Sequence, residues 1–367
     1  MRLGVPKETA RGERRVALVP DTVTRLAKAG FEAVVERGAG TAAGFPDAQY
    51  EAAGAKLVGS AREAFTAGEL VLKVQRPSLA EVELVPESGA IVALLQPFGP
   101  RDVLEALARR RVTAFAMELV PRITRAQSMD ALSSQAVLAG YKAVLIGAEA
   151  MQRILPMLTT AAGTLAPARA LILGAGVAGL QAIAPARRLG AMVSAFDVRP
   201  AVKEQVQSLG AQFVEAEVVA EGTGGYAKEL AADQQQRVLD TIGKQLPQMD
   251  LVISTAQVPG KPAPRLITAA MVRTMKPGSV IVDLAADTGG NCELTKADEV
   301  VDEGGVLVLG PVNLPATVAF HASQMYARNL QAFLTHVARD GKLAVDLADE
   351  ITGAMAMTHG GEVRERR

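Results

Sequence analysis

The chain has no tryptophan, one cysteine and three histidines in 367 residues, and its 39 basic side chains are matched by 39 acidic ones. Each scarcity removes a class of function. Cys292 alone builds no disulfide framework, so a reducing, cytoplasmic setting is the simplest expectation. His321, His336 and His359 all fall late in the chain without metal-ligand spacing, which argues against a zinc site. A formal net charge of zero leaves no electrostatic footprint for nucleic acid or an acidic membrane surface. Ile154 to Ala186 is almost uncharged, but Arg169, Pro156, Pro167 and Pro185 interrupt it, so no unbroken apolar stretch there reaches bilayer length. Charge follows directly on Met1-Arg-Leu-Gly-Val-Pro, which does not read as a signal peptide. Neither a Walker A sequence nor a G-x-S-x-G elbow occurs.

What is present is an apolar share of 49%, ample for large cores, and a length that points to two domains. The most informative stretch is Arg169 to Arg199. Ala170-Leu-Ile-Leu173 reads as a buried strand and runs into Gly174-Ala-Gly176-Val-Ala-Gly179, then into an alanine-rich helix. A second strand, Met192 to Phe196, ends at Asp197. In that context Gly174 allows the tight turn, Gly176 admits a pyrophosphate close to the backbone, and Gly179 lets helix and strand pack. The helix N-terminus offers free N–H groups and a positive dipole end to the phosphates. Asp197 stands at the expected distance to accept hydrogen bonds from the adenosine ribose. Its charge favours NAD over NADP, with nearby Arg199 pulling the other way.

Before this fingerprint, strands are expected at Leu3–Val5, Phe31–Glu36, Leu70–Val74, Ile91–Leu95 and Val112–Met117. Helices are expected at Thr22–Ala29, with Asp21 as N-cap and Gly30 as stop, and at Arg101–Arg110. After it, helices at Ala201–Leu209 and Gln234–Leu246 alternate with strands at Phe213–Val214, Leu251–Ser254, Val280–Asp283 and Val306–Leu309, the last taken as the sheet's final strand. A long helix, Val318–Val337, returns to the first domain and is followed by a short tail. The expected fold class is α/β, with two Rossmann-like parallel-sheet domains and a nucleotide cleft between them. Residues 1–130 with 320–367 form the first domain and 131–319 the nucleotide-binding one.

Three polar segments carry alternative readings. Glu118 to Gln135, with Arg122, Gln127, Asp130 and Ser133, is either a solvated linker or a ligand-facing stretch. Glu221 to Glu229 sets three glycines beside Tyr226, as a plain connection or as a lid. Gln257, Asp283 and Asp287 follow strands at their carboxyl ends, where ligands bind in such sheets, yet ordinary turn-capping explains them equally well. No histidine or paired acid stands ready as a proton donor and acceptor. Hydride passage between two nicotinamide C4 atoms needs none, because it moves no proton, and positioning is then nearly the whole of the catalysis.

Further segments make the chain resemble the NAD(H)-binding component of proton-translocating NAD(P) transhydrogenases, in its split, soluble form, with alanine dehydrogenases as related proteins. They are Val5-Pro-Lys-Glu, Arg15-Val-Ala-Leu, Lys73-Val, Arg122-Ile-Thr-Arg125-Ala-Gln127-Ser-Met-Asp130, Gly224-Gly225-Tyr226-Ala-Lys, Pro259-Gly-Lys-Pro-Ala-Pro, Gly289-Gly-Asn-Cys and Asn313-Leu-Pro. Alanine dehydrogenases share Arg15 and Lys73, which there hold the substrate carboxylate, but place a catalytic histidine where this chain has Gln96. The resemblance implies that Arg122, Gln127 and Asp130 orient the nicotinamide, with Ile123, Thr124, Arg125 and Ser133 beside them. Val177 with Gly174, Gly176 and Gly179 would meet the pyrophosphate. Asp197, Val198 and Arg199 would meet the ribose, and Gly225, Tyr226 and Gln257 would complete the cofactor contacts. It further implies NAD(H) bound here, NADP(H) on a partner subunit, a homodimer, and peripheral attachment at the cytoplasmic face through membrane-spanning subunits that couple hydride transfer to proton movement. A self-sufficient amino-acid dehydrogenase and a nucleotide sensor remain the alternatives.

Overall fold

Short apolar runs bounded by polar turns become strands buried on both faces, as a parallel sheet sandwiched between helices requires. The computed structural model describes residues 1–216, 218, 230–258, 260–339 and 341–364. Its strands are β1 (Arg2–Val5), β2 (Glu32–Glu36), β3 (Lys56–Val58), β4 (Leu70–Leu72), β5 (Ala90–Ala93), β6 (Thr113–Ala116), β7 (Leu158–Thr160), β8 (Gly163–Leu165), β9 (Arg169–Leu173) and β10 (Met192–Phe196). There follow β11 (Gln212–Val214), β12 (Leu251–Ser254), β13 (Val280–Asp283), β14 (Val300–Glu303), β15 (Val306–Leu309), β16 (Ala338–Arg339), β17 (Lys342–Leu343), β18 (Ala356–His359) and β19 (Glu362–Val363). The chain divides into two units, residues 1–135 with 315–367 and residues 136–314.

The first unit holds a sheet ordered β19-β18-β6-β5-β4-β1-β2-β3. Strands β1 to β6 run parallel. Alternation along them feeds two layers: Leu70, Leu72, Ala90 and Val92 face one core, Val71, Ile91 and Ala93 the other. The helix Ala319–Val337 lays Tyr326, Leu330, Phe333, Leu334 and Val337 into the first of these at helical spacing. Chain order reverses between β1 and β4, so loops from β1 and β4 leave a topological switch point side by side.

The second unit carries a sheet ordered β11-β10-β9-β12-β13-β15-β14, with its own reversal between β9 and β12. Ala170 and Ile172 pack in one layer, Leu171 and Leu173 in the other. Leu173 pairs with Phe196 on one side and Ser254 on the other, and Ser254 pairs with Asp283. The carboxyl ends of four strands therefore finish level, and Gly174, Asp197, Thr255 and Leu284 leave the same edge.

Several expectations need correction. Asp21 is not the N-cap of the first helix, which runs Pro20–Lys28 from Val19. Pro20 fills the first helical position, where its missing N–H costs nothing, and Asp21 pairs instead with Arg25 at 3.0 Å. The strand β15 is not the end of its sheet, because β14 lies antiparallel beyond it. The tail is not featureless: a helix, Glu350–Met355, leads into β18, which pairs antiparallel with β6. Each sheet is thus parallel with an antiparallel edge. Ile154 to Ala186 breaks into the β7–β8 hairpin, β9 and a helix, Val177–Arg188, that continues through Pro185. Among the described residues one helix, Ala131–Ala150, is long and apolar enough to cross a membrane by length and composition, a property that core helices share.

Candidate functional site

The fingerprint turn has a different physical reason at each glycine. Gly174 has φ +92°, a conformation that side chains resist, and its N–H donates to Phe196 O at 2.9 Å. Gly179 has no spare volume, since a Cβ there would fall on the Gly174 carbonyl oxygen. That same oxygen accepts from Thr255 Oγ1 at 3.0 Å and is held in place. Gly176 is the opposite case: its backbone is extended, and a Cβ would meet only Arg199 Nη2, at 4.0 Å. The helix Val177–Arg188 starts from Gly176 with no side chain capping it. An open, uncapped helix start with no Cβ in front of it fits a phosphate group.

Asp197 closes this turn. Its Oδ2 accepts from Ala175 N at 2.8 Å and Arg199 Nη2 at 2.6 Å; its Oδ1 accepts from Arg199 N at 2.9 Å and Nε at 2.8 Å. This ion pair raises the Arg199 pKa further above its ordinary value. Four bonds occupy the acceptor sites a carboxylate offers. A ribose diol therefore gains Asp197 only by displacing part of the Arg199 guanidinium. Val198 packs on the core beneath, and Val177 is exposed at the helix start.

The loops after β12 and β13 are stitched by buried polar side chains. Asn291 accepts from Ser254 Oγ and Ala256 N at 2.6 and 3.0 Å and donates to Ala256 O and Pro264 O, both at 2.8 Å. Asp283, a candidate by topology, accepts from Ala285 N, Cys292 N and Thr295 Oγ1 at 3.0, 2.9 and 2.6 Å. It holds the loop together. Gln257 is exposed and donates to Asp287 Oδ1 at 3.2 Å, and burial raises the Asp287 pKa. Burial also pushes the Cys292 thiol up to about 11, so it is no nucleophile. Gly225 and Tyr226 lie outside the described residues.

In the first unit, the segment from Arg122 is an ordered structure. A 3₁₀ turn, Thr124–Met129, buries Ala126 and Met129 in the core and leaves Arg122, Thr124 and Gln127 exposed, with Ile123 packed against the core edge. Asp130 then caps the helix Ala131–Ala150, accepting from Ser133 N at 2.9 Å and Ser133 Oγ at 2.5 Å. Arg125 turns the other way, its guanidinium bonding Asp349 at 3.1 Å and Glu350 at 3.4 Å. The Asp349 carboxyl sits well below the usual carboxylate range, chiefly through the Thr352 N–H, with His336 and Arg125 adding to the pull. The structure thus groups Gln127, Asp130 and Ser133 and assigns Arg125 to a different set of partners.

The carboxyl-end loops of this unit's sheet hold two buried cations. Arg15 pairs with Glu13 at 2.7 Å and donates to Gln135 Oε1 at 2.8 Å. Lys73 pairs with Glu81 at 2.9 Å and Glu8 at 3.2 Å. Burial by itself would lower the Lys73 pKa, but the two carboxylates outweigh it and raise it, while burial raises that of Glu8. Gln96 is held at φ +51° with its N–H on Glu118 at 2.7 Å. Sequence reasoning found the cations and missed their acids, because Glu8, Glu13 and Glu81 look like surface charges until the loops fold inward.

Comparison with known proteins agrees over the whole length. Residues 4–139 match the family Alanine dehydrogenase/PNT, N-terminal domain, and residues 143–366 match Alanine dehydrogenase/PNT, C-terminal domain. The chain is 49% identical to the first of the separately encoded parts of the NAD(P) transhydrogenase subunit alpha of Rhodospirillum rubrum, over 99% of this chain and 97% of that protein. The crystal structure of transhydrogenase from Sinorhizobium meliloti superposes with a TM-score of 0.91 at 45% identity, covering 99% of this chain and 100% of that one. A solved L-alanine dehydrogenase gives a TM-score of 0.81 at 28% identity, covering 99% and 96%.

Proposed function

The chain belongs to the alanine dehydrogenase/PNT family, and from that premise we propose that it is the NAD(H)-binding component of a proton-translocating transhydrogenase. The reading is carried by the end-to-end likeness to the transhydrogenase subunit, which is stronger than the likeness to alanine dehydrogenase. NADH gives a hydride from its C4 carbon to C4 of NADP⁺ on a partner subunit. One C–H bond breaks and one forms, leaving NAD⁺ and NADPH. Membrane-spanning partners couple this transfer to proton movement and hold the chain at the membrane's cytoplasmic side.

Within the second unit, Gly174, Gly176, Val177 and Gly179 take the pyrophosphate, and Asp197, Val198 and Arg199 the adenosine ribose. Within the first, Arg122, Gln127 and Asp130 orient the nicotinamide, with Ile123, Thr124, Arg125 and Ser133 in support. Gly225, Tyr226 and Gln257 complete the contacts. The paired state of Arg199 supports NADH over NADPH: a 2′-phosphate would have to win the guanidinium from Asp197 and leave that carboxylate exposed to a second anion. Arg15 and Lys73 point to amino-acid dehydrogenation as the other reading, but both cations are already matched by carboxylates of this chain, and Gln96 supplies no imidazole.

One set of assays tests the choice. The chain is expected to bind NADH at least about tenfold more tightly than NADPH, a difference of about 1.4 kcal/mol. It should pass hydride to an NADP⁺-loaded partner and show no turnover with NADH, pyruvate and ammonia. Robust turnover in the last mixture overturns the proposal.

We read the partner set as including a second copy of this chain. The hairpin β7–β8 is exposed on both faces, and Ile154, Met157, Leu158, Leu165 and Met192 expose much of their apolar surface on and around it. No charged residue occurs between Arg153 and Arg169. An uncharged apolar patch suits self-association about a twofold axis. Sedimentation is expected to show a dimer that Met157→Asp with Leu165→Asp converts to monomer; a wild-type monomer refutes this.

A further inference from the structure

The turn Thr124–Met129 is fixed by a residue two hundred positions away. Asn329, buried on the helix Ala319–Val337, donates from Nδ2 to Ser128 O at 2.8 Å and accepts at Oδ1 from Ser134 Oγ at 2.7 Å. The orientation of the amide follows from its partners, because a backbone carbonyl only accepts. The chain of bonds continues in one direction. Gln135 Nε2 donates to Ser134 Oγ at 3.3 Å and to Ala322 O at 3.2 Å, and Gln135 Oε1 accepts from Arg15 Nη1. Arg15 in turn is held by Glu13, which also accepts from Gln75 Nε2 at 2.8 Å. Arg15, Gln135, Ser134 and Asn329 therefore form a buried donor-to-acceptor relay ending on the backbone of the turn. Bonds aligned head to tail polarise one another, and a low-dielectric interior makes a broken link costly.

We propose that Asn329 is a positioning residue for hydride transfer: it sets the register of the turn that bears Gln127 and leads into Asp130, and Arg15 serves as the ionic anchor of the same relay. The proposal rests on the reading that this turn orients the nicotinamide. It gives Arg15 a task that a substrate carboxylate does not share. The turn buries only Ala126 and Met129, so apolar packing alone leaves it free to slide along the helix. The amide bond to Ser128 O removes that freedom. Misplacement by about 1 Å is enough to cost a large factor in a reaction that depends on geometry.

The test uses the full chain with its NADP⁺-loaded partner. Asn329→Asp keeps the shape and the bond from Ser134 but sets an acceptor against the Ser128 carbonyl. Ser134→Ala, a milder change, breaks the next link. Both are read by the single-turnover hydride transfer rate at saturating NADH, by the Kd for NADH from fluorescence, and by melting temperature. Expected are a rate about tenfold lower for Asn329→Asp, a smaller loss for Ser134→Ala, and a Kd within about threefold of the wild type. A shifted emission of bound NADH should accompany the slower rate. Unchanged rates in both folded variants, or a Kd that rises in step with the lost rate, overturns the positioning role. If Asn329→Asp does not fold, Ser134→Ala decides by the same criteria. A wild-type chain that transfers no hydride at all sinks the transhydrogenase reading instead, which separates the two failures.

Discussion

Gly176→Ala is expected to fold as the wild type does and to bind NADH about ten- to a hundredfold more weakly. Its backbone lies at φ −77° and ψ −165°, which alanine adopts without strain, and the new methyl would meet no atom of the described protein closer than 4.0 Å. Stability should stay within about 0.5 kcal/mol, as for an unconstrained surface change. The space the methyl enters is the one assigned to the pyrophosphate, so the loss falls on the ligand alone, and overpacking of about 1–3 kcal/mol sets its scale. Gly179→Ala makes the contrast. There the methyl collides with the Gly174 carbonyl, which Thr255 holds, so the helix must lift from β9. Both melting temperature and NADH affinity should fall. Calorimetry of the two variants with NADH titration checks the pair. Wild-type affinity in Gly176→Ala would remove the phosphate from this turn.

The second large effect is on rate. Gln127→Ala and Asp130→Asn are each expected to slow hydride transfer by about a hundredfold while NADH still binds, because the ring is held but wrongly aimed. Gln127 is exposed, so its loss should leave stability within about 0.5 kcal/mol. Asp130 is also a helix cap, and the substitutions separate the two roles. Asparagine caps as well as aspartate, whereas Asp130→Ala forfeits about 1 kcal/mol of stability besides the rate. Single-turnover transfer to the NADP⁺-loaded partner, read beside thermal melts, distinguishes them. Full rate in Asp130→Asn would mean that its charge plays no part and that only the cap matters.

The local motifs were legible because their chemistry is local. A strand that ends in a tight turn below a helix needs glycine at set positions, and the spacing from Gly174 to Asp197 is the length of one helix and one strand. The parallel sheets were legible for a related reason: runs such as Leu171–Leu173 and Val280–Val282 are apolar on both faces, and only helices on both sides bury them. Where two local signals competed, sequence reading chose wrongly. Asp21 and Pro20 both mark a helix start, and the ring's preset φ won over the carboxylate cap.

By itself, then, the sequence determined the alternation of strand and helix, the phosphate-binding turn and its acid, and the absence of a group for proton chemistry. Only the tertiary structure decided which charge meets which. Arg125 finds Asp349, Asn329 finds Ser128, and Lys73 finds Glu8 and Glu81 across separations that no periodicity encodes. A hydrogen bond or ion pair needs its two atoms within about 3 Å, and residues far apart in sequence meet that condition only after the sheet has set the ends of its strands side by side.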